Sequence, residues 1–213
     1  RPQTVREFGF YCLFAVLLVP ILCAFGGAVA RARLGDEFRV AWEQWFMGNA
    51  LTHLIVTPAL FCLLFAFLSR TLFPRKRRWI EAGLLTIGLV VSGYAAFHTE
   101  SVRIGLAESR FYAPIPFLFW AALRFGMGGV AGAITIITVM AVQAALRGQG
   151  LFAGMSPDET ALALQHFPIL RAAPLYLVAI LVEQMKYAEA ETQKQRQEQA
   201  HLSRVSTMGQ LAS

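Results

Sequence analysis

Hydrophobic residues in this chain come in blocks of about 20, separated by short charged or turn-forming gaps, and that block length decides the class of fold before any other feature. A helix of about 20 residues is roughly 30 Å long, which is the thickness of a bilayer core. The expected fold is therefore all-α, a polytopic membrane helix bundle whose last span continues into a polar helix. Composition agrees, since 56% of the residues are hydrophobic and 15% are charged, too few polar side chains to cover a water-soluble core.

Cutting the chain at its charged and turn-forming gaps predicts six spans, near residues 8–30, 46–68, 80–97, 112–123, 129–146 and 164–182. The fourth is short. Pro114 and Pro116 stand at its start, where a missing backbone donor is tolerated in a first helical turn. The first is longer than the apolar region of a secretory signal, so it is read as a spanning helix.

The net charge of +6 does not point to nucleic acid, because the bases fall in the gaps between blocks and not on an aromatic-studded stripe. They report topology instead. The gap between the second and third spans holds Arg70, Arg75, Lys76, Arg77 and Arg78, and cytoplasmic loops retain positive charge. Placing that gap inside brings Arg1, Arg6, Arg124, Lys186, Lys194, Arg196 and Arg204 inside too. Arg31, Arg33, Arg39, Arg103, Arg110, Arg147 and Arg171 then lie outside. Both ends of the segment are expected in the cytoplasm of a bacterium, with the bundle in its inner membrane.

Small residues open the fifth span at Gly128, Gly129, Val130, Ala131, Gly132 and Ala133, a face that lets helices approach closely. Packing inside the bundle is the favoured use, and a dimer contact the sharper one. Cys12, Cys23 and Cys62 all fall in apolar blocks without metal-ligand spacing and are read as packing residues.

After Val182 the composition turns polar, from Glu183 through Gln199, with no Gly or Pro before Gly209. This predicts a helix that leaves the membrane without a break, so the chain divides into an integral domain, 1–183, and a linker helix, 184–213. Leu202, Val205, Met208, Leu211 and Ala212 recur at helical spacing, an amphipathic face in need of a partner helix. Self-association as a homodimer is the expected consequence.

Two stretches carry a family resemblance. Residues 45–60, WFMGNALTHLIVTPAL, resemble the signature helix of membrane-associated sensor (MASE) domains of the first type, and residues 111–126, FYAPIPFLFWAALRFG, resemble another block of that family. The resemblance implies an integral sensory module of the kind found ahead of histidine kinases and diguanylate cyclases. The tail 201–213, HLSRVSTMGQLAS, resembles the start of the dimerisation helix of histidine kinases, just ahead of the phosphoacceptor. His201 precedes the Met208-Gly209 landmark and is not that acceptor. By the same resemblance two N-terminal helices are expected upstream of Arg1. ATP, Mg and a response regulator belong to the expected kinase downstream.

Polar groups at membrane depth are site candidates by default, since burying them in lipid costs several kcal/mol unless they are paired or hydrated. Asn49 and His53 share one helix face, with Thr52 beside them and Thr57 one turn on. Arg171 falls inside the outer end of the sixth span, and His98 with Glu100 marks the outer end of the third. All lie in the expected outer half. A polar vestibule of Asn49, His53, His98 and Arg171 could take a small polar or anionic ligand; the equal alternative is a set of interhelical hydrogen bonds. Haem ligation by His53 and His98 is the minor reading.

No Ser/His/Asp arrangement, phosphate-binding glycine loop or paired catalytic carboxylates occur in the sequence, so no catalytic residue is expected in this segment. Pro58, Pro168 and Pro174 interrupt backbone ladders within spans, and Pro174 precedes Glu183 on the span that runs into the tail. Signal transmission is accordingly assigned to Pro174, Glu183, Leu202, Val205 and Met208. A small transporter or channel, a partner membrane protein as stimulus, and a ligand-free anchor are the rival readings.

Overall fold

The computed structural model describes residues 4–68, 76–97 and 112–211. Among them every regular element is helical. Helix α1 comprises Val5–Tyr11, a π-helical stretch Cys12–Leu18, and Val19–Ala32; α2 comprises Phe38–Leu51, a π-helical turn Thr52–Val56, and Thr57–Leu68. Helix α3 is Lys76–Phe97, α4 is Ile115–Leu146 and α5 is Pro157–Leu211, with a 3-10 turn at Gly150–Phe152 between the last two.

Local chemistry sets these ends. The Thr4 hydroxyl accepts from the Glu7 backbone N–H at 3.1 Å and starts α1. Ser156 and Glu159 cap α5 reciprocally, with the Ser156 N–H donating to Glu159 Oε2 at 2.9 Å and the Glu159 N–H to Ser156 Oγ at 3.3 Å. Both π-helical stretches end two residues before a proline, Pro20 and Pro58. A proline ring cannot donate and crowds the carbonyl four residues back, so the ladder ahead of it widens.

Among the described residues five helices are long and apolar enough to cross a membrane, where six spans were expected. The fourth and fifth predicted spans both fall in α4, which is not straight. Gly126 has φ 64° and ψ −153°, outside any helical conformation. A Cβ placed on Gly129 would lie 2.9 Å from the carbonyl oxygen of Ala121, although eight residues along a straight helix separate atoms by about 12 Å. The chain therefore doubles back at Gly126. Its first limb, ahead of the bend, has about 11 residues and reaches roughly 16 Å, half a bilayer core. That limb is the fourth predicted span, too short to cross by itself.

Contacts give the helix directions. Glu81 meets Arg124 and Gly88 packs under the Phe117 ring, so the first limb of α4 runs antiparallel to α3. Gly93 meets Met140, and Gly150 sits against the Phe97 carbonyl, so the second limb runs parallel to α3. One end of the bundle thus gathers Glu81, Arg124, Gly126 and Lys186, with Lys186 Nζ donating to the Leu123 carbonyl at 2.9 Å. The opposite end gathers Phe97, Phe152 and Phe167, stacked or edge-on, and the Gln44–Asp158 hydrogen bond.

The core forms where α4 passes among the other helices. Ala121, Ala122, Val130, Ala131, Ala133, Ile137 and Ala144 are buried there, with Tyr176 and Ile180 of α5. Gly128 lies beside Cys62 of α2, so the small-residue face opening the fifth predicted span packs inside the bundle. Gly132 is exposed. Large apolar side chains also cover the outer surface, Leu22, Phe67 and Leu68 among them, as lipid contact requires. Cys23, expected as a packing residue, belongs to that outer surface; Cys12 and Cys62 are partly buried.

Candidate functional site

Helix α5 is the element that extends beyond the bundle. Its 55 residues run through Glu183 without interruption, about 40 Å of it before Glu183 and about 40 Å after. The bundle grips it last at the bend of α4. There the Glu183 carboxylate occupies the space a Cβ would need on Gly126, and Lys186 bonds the Leu123 carbonyl just ahead of the bend. Only glycine satisfies both demands at 126, because φ 64° with ψ −153° is forbidden to side-chain-bearing residues and the carboxylate fills the remaining room.

The bend itself is tied to α3. Arg124 Nε and Nη2 each donate to the Glu81 carboxylate at 2.7 Å, the parallel two-bond geometry that makes guanidinium–carboxylate pairs directional. Arg78, Arg124, Glu183, Lys186 and Tyr187 surround a pocket of about 300 Å³ at this junction. Charge is thus concentrated where the last helix leaves the bundle.

The residues expected from the sequence are placed as follows. The Asn49 side-chain amide donates to the Trp45 carbonyl at 2.9 Å, beside a shallow hollow of about 280 Å³ that also touches Gln44, Gly48 and Thr52. His53 lies in the π-helical turn of α2, and its carbonyl accepts from the Tyr11 hydroxyl of α1. Arg171 is turned toward Phe167, its guanidinium 3.9 Å from the ring centroid and donating to the Phe167 carbonyl at 2.9 Å. The described contacts thus join His53 to α1 and Arg171 to Phe167, and Asn49 bonds within its own helix. His98 and Glu100 lie outside the described residues, as do Arg70 and Arg75. Pro174 is exposed on α5, whereas Pro168 is buried. The backbone of Leu202, Val205 and Met208 belongs to α5, and their side chains lie outside those described.

Other polar groups were not expected. Gln165 of α5 reaches the Gln44 carbonyl at 3.5 Å, and Tyr176 is fully buried with no hydrogen-bond partner for its hydroxyl among the described residues. Arg124 carried a signal for the junction, since a guanidinium between two apolar blocks needs a carboxylate. Nothing local in the sequence pointed to Glu81 as that carboxylate. Among the described residues no cluster of three or more His, Cys, Asp or Glu could hold a metal ion.

A bundle of apolar helices with most of its charged groups toward its ends, and one helix projecting far beyond it, defines a multi-span membrane domain. The family profile MASE1, a membrane-associated sensor domain, matches residues 1–186. The chain belongs to that family. No curated protein and no solved structure gives a match.

Proposed function

We propose that this chain is the input module of a two-component sensor histidine kinase in a bacterial inner membrane, with the Glu183 end of the bundle in the cytoplasm. The observation that carries the reading is the continuity of α5, which is packed in the bundle as far as Glu183 and projects another seven or so turns without a break. A rigid helix transmits rotation and tilt, whereas a flexible linker would dissipate them. The resemblance of residues 201–213 to a kinase dimerisation helix favours a kinase over a diguanylate cyclase as the output.

On this reading a stimulus shifts the helices that hold α5, and the junction at Gly126, Glu183 and Lys186 passes that shift to a paired stalk. Asn49, His53, His98 and Arg171 remain the proposed outward-facing polar groups for a small ligand or a partner membrane protein. The stalk pairs with its copy in a homodimer, and ATP and Mg are used by the catalytic part beyond it, which then phosphorylates a response regulator.

The experiment alters stalk register in the full-length protein. One residue inserted after Gln193 turns everything beyond it by about 100°. Kinase output should lock in one state, and a seven-residue insertion, close to two whole turns, should restore switching. Identical switching in both variants would reduce the module to a tether. Alanine at both His53 and Arg171 should remove the stimulus response with insertion intact.

A further inference from the structure

We propose that the junction pocket binds the phosphate-bearing headgroup of an anionic phospholipid. The inference deepens the functional reading at the same junction, and rests on it only for the side of the membrane that the pocket faces.

Three cationic side chains, Arg78 of α3, Arg124 of α4 and Lys186 of α5, converge on a pocket of about 300 Å³. Their charges are unequally matched. Arg124 is held in two hydrogen bonds by Glu81, and Glu183 is the one acidic residue in the lining. The described partner of the Lys186 ammonium is a neutral carbonyl, that of Leu123. Two carboxylates against three cations leave a single positive charge, which suits one phosphodiester. The sequence adds Arg75, Lys76 and Arg77 directly ahead of Arg78.

Position selects a lipid over a soluble anion. Trp79 and Tyr187, beside Arg78 and Lys186, are 53% and 69% exposed respectively, and such aromatic residues settle at headgroup depth. On the short limb of α4, Leu123 and Phe119 offer exposed apolar surface one turn apart, next to Arg124. A headgroup can therefore meet the cations while its acyl chains stay against the bundle. Basic pockets between spans on the cytoplasmic side are suited to this use.

A phospholipid seated here touches α3, the bend of α4 and α5 together. It would brace the stalk's exit, so that leaflet composition enters the signal.

The test uses the full chain, purified in detergent and titrated separately with phosphatidylglycerol, phosphatidylcholine and inorganic phosphate, with bound lipid counted by native mass spectrometry and melting followed in parallel. Phosphatidylglycerol should be retained and raise the melting temperature, and the other two should do neither. The double variant R78Q/K186Q should lose phosphatidylglycerol retention by roughly 25-fold, at about fivefold per base. The pair R78K/K186R should keep it, which separates loss of charge from loss of fold. Equal retention of the two lipids, equal retention by R78Q/K186Q, or protection by inorganic phosphate matching that by phosphatidylglycerol would each overturn the proposal. Bound lipid is counted without reference to kinase output, so this result and the stalk-register result can fail independently.

Discussion

Arg124 grips Glu81 across 43 residues of sequence through two hydrogen bonds of 2.7 Å, and so ties the bend of α4 to the first turns of α3. The Arg124 side chain is about half exposed, 53%, so the pair contributes through geometry more than through raw Coulomb energy. Replacing either partner alone, as R124E or E81R, should lower the melting temperature, and the charge-swapped double variant should recover most of the loss. A double variant no better than the worse single one would remove the pair from the account of the bend.

Gly126 is the position most sensitive to a single methyl group. Alanine there meets a backbone conformation that only glycine adopts readily, and its Cβ meets the Glu183 carboxylate. G126A should destabilise the bundle by about 2 kcal/mol. Asparagine, which tolerates the ordinary left-handed region, should not rescue it, because ψ −153° lies outside that region. Thermal denaturation in detergent checks both, and a wild-type melt for G126A would contradict the folded-back geometry.

The Tyr11 hydroxyl is the described side-chain link between α1 and the π-helical turn of α2, donating to the His53 carbonyl. Y11F keeps the ring and removes the hydroxyl, with its bond to the His53 carbonyl and its contact with the Thr57 side chain. Its expected cost is about 0.6 kcal/mol, the average for interhelical hydrogen bonds in membrane bundles. A loss above about 2 kcal/mol, measured by the same denaturation, would mean that the hydroxyl supports more than these two contacts.

Pro174 stands nine residues before Glu183 on the exposed side of α5 and leaves the backbone ladder one donor short. P174A should close that ladder and stiffen the helix, since alanine is favoured over proline in a helix interior by about 3 kcal/mol. In the full-length protein this should raise thermal stability while blunting stimulus-dependent kinase switching. Undiminished switching would show that α5 moves as a whole and not by flexing at this residue.

Much of the architecture was legible from short windows of sequence. The blocks near 8–30, 46–68, 80–97 and 164–182 all lie within long helices, because hydropathy and helix propensity are summed over neighbouring residues. Helix starts were less legible, since Phe38–Leu51 begins well before the expected residue 46. Polar residues there, Arg39, Glu43 and Gln44, mask a helix that begins at the end of the bundle. The gap between the fourth and fifth predicted spans coincides with the bend at Gly126, but the sequence did not show that the limb ahead of it is half-length. The expected vestibule drew on three helices by depth alone, and depth does not say which way a side chain faces around its helix.

What the sequence determined by itself is therefore the class of the molecule: an all-helical membrane bundle with a continuous polar helix leaving it. Only the tertiary structure decided that Glu81 answers Arg124, that Lys186 reaches Leu123 across 63 residues, and that Glu183 closes against Gly126. Helix formation is a property of adjacent residues and leaves a periodic trace in the sequence. Pairing between helices depends on rotation about each axis and on where a bend falls, and those are settled only when all the helices pack at once.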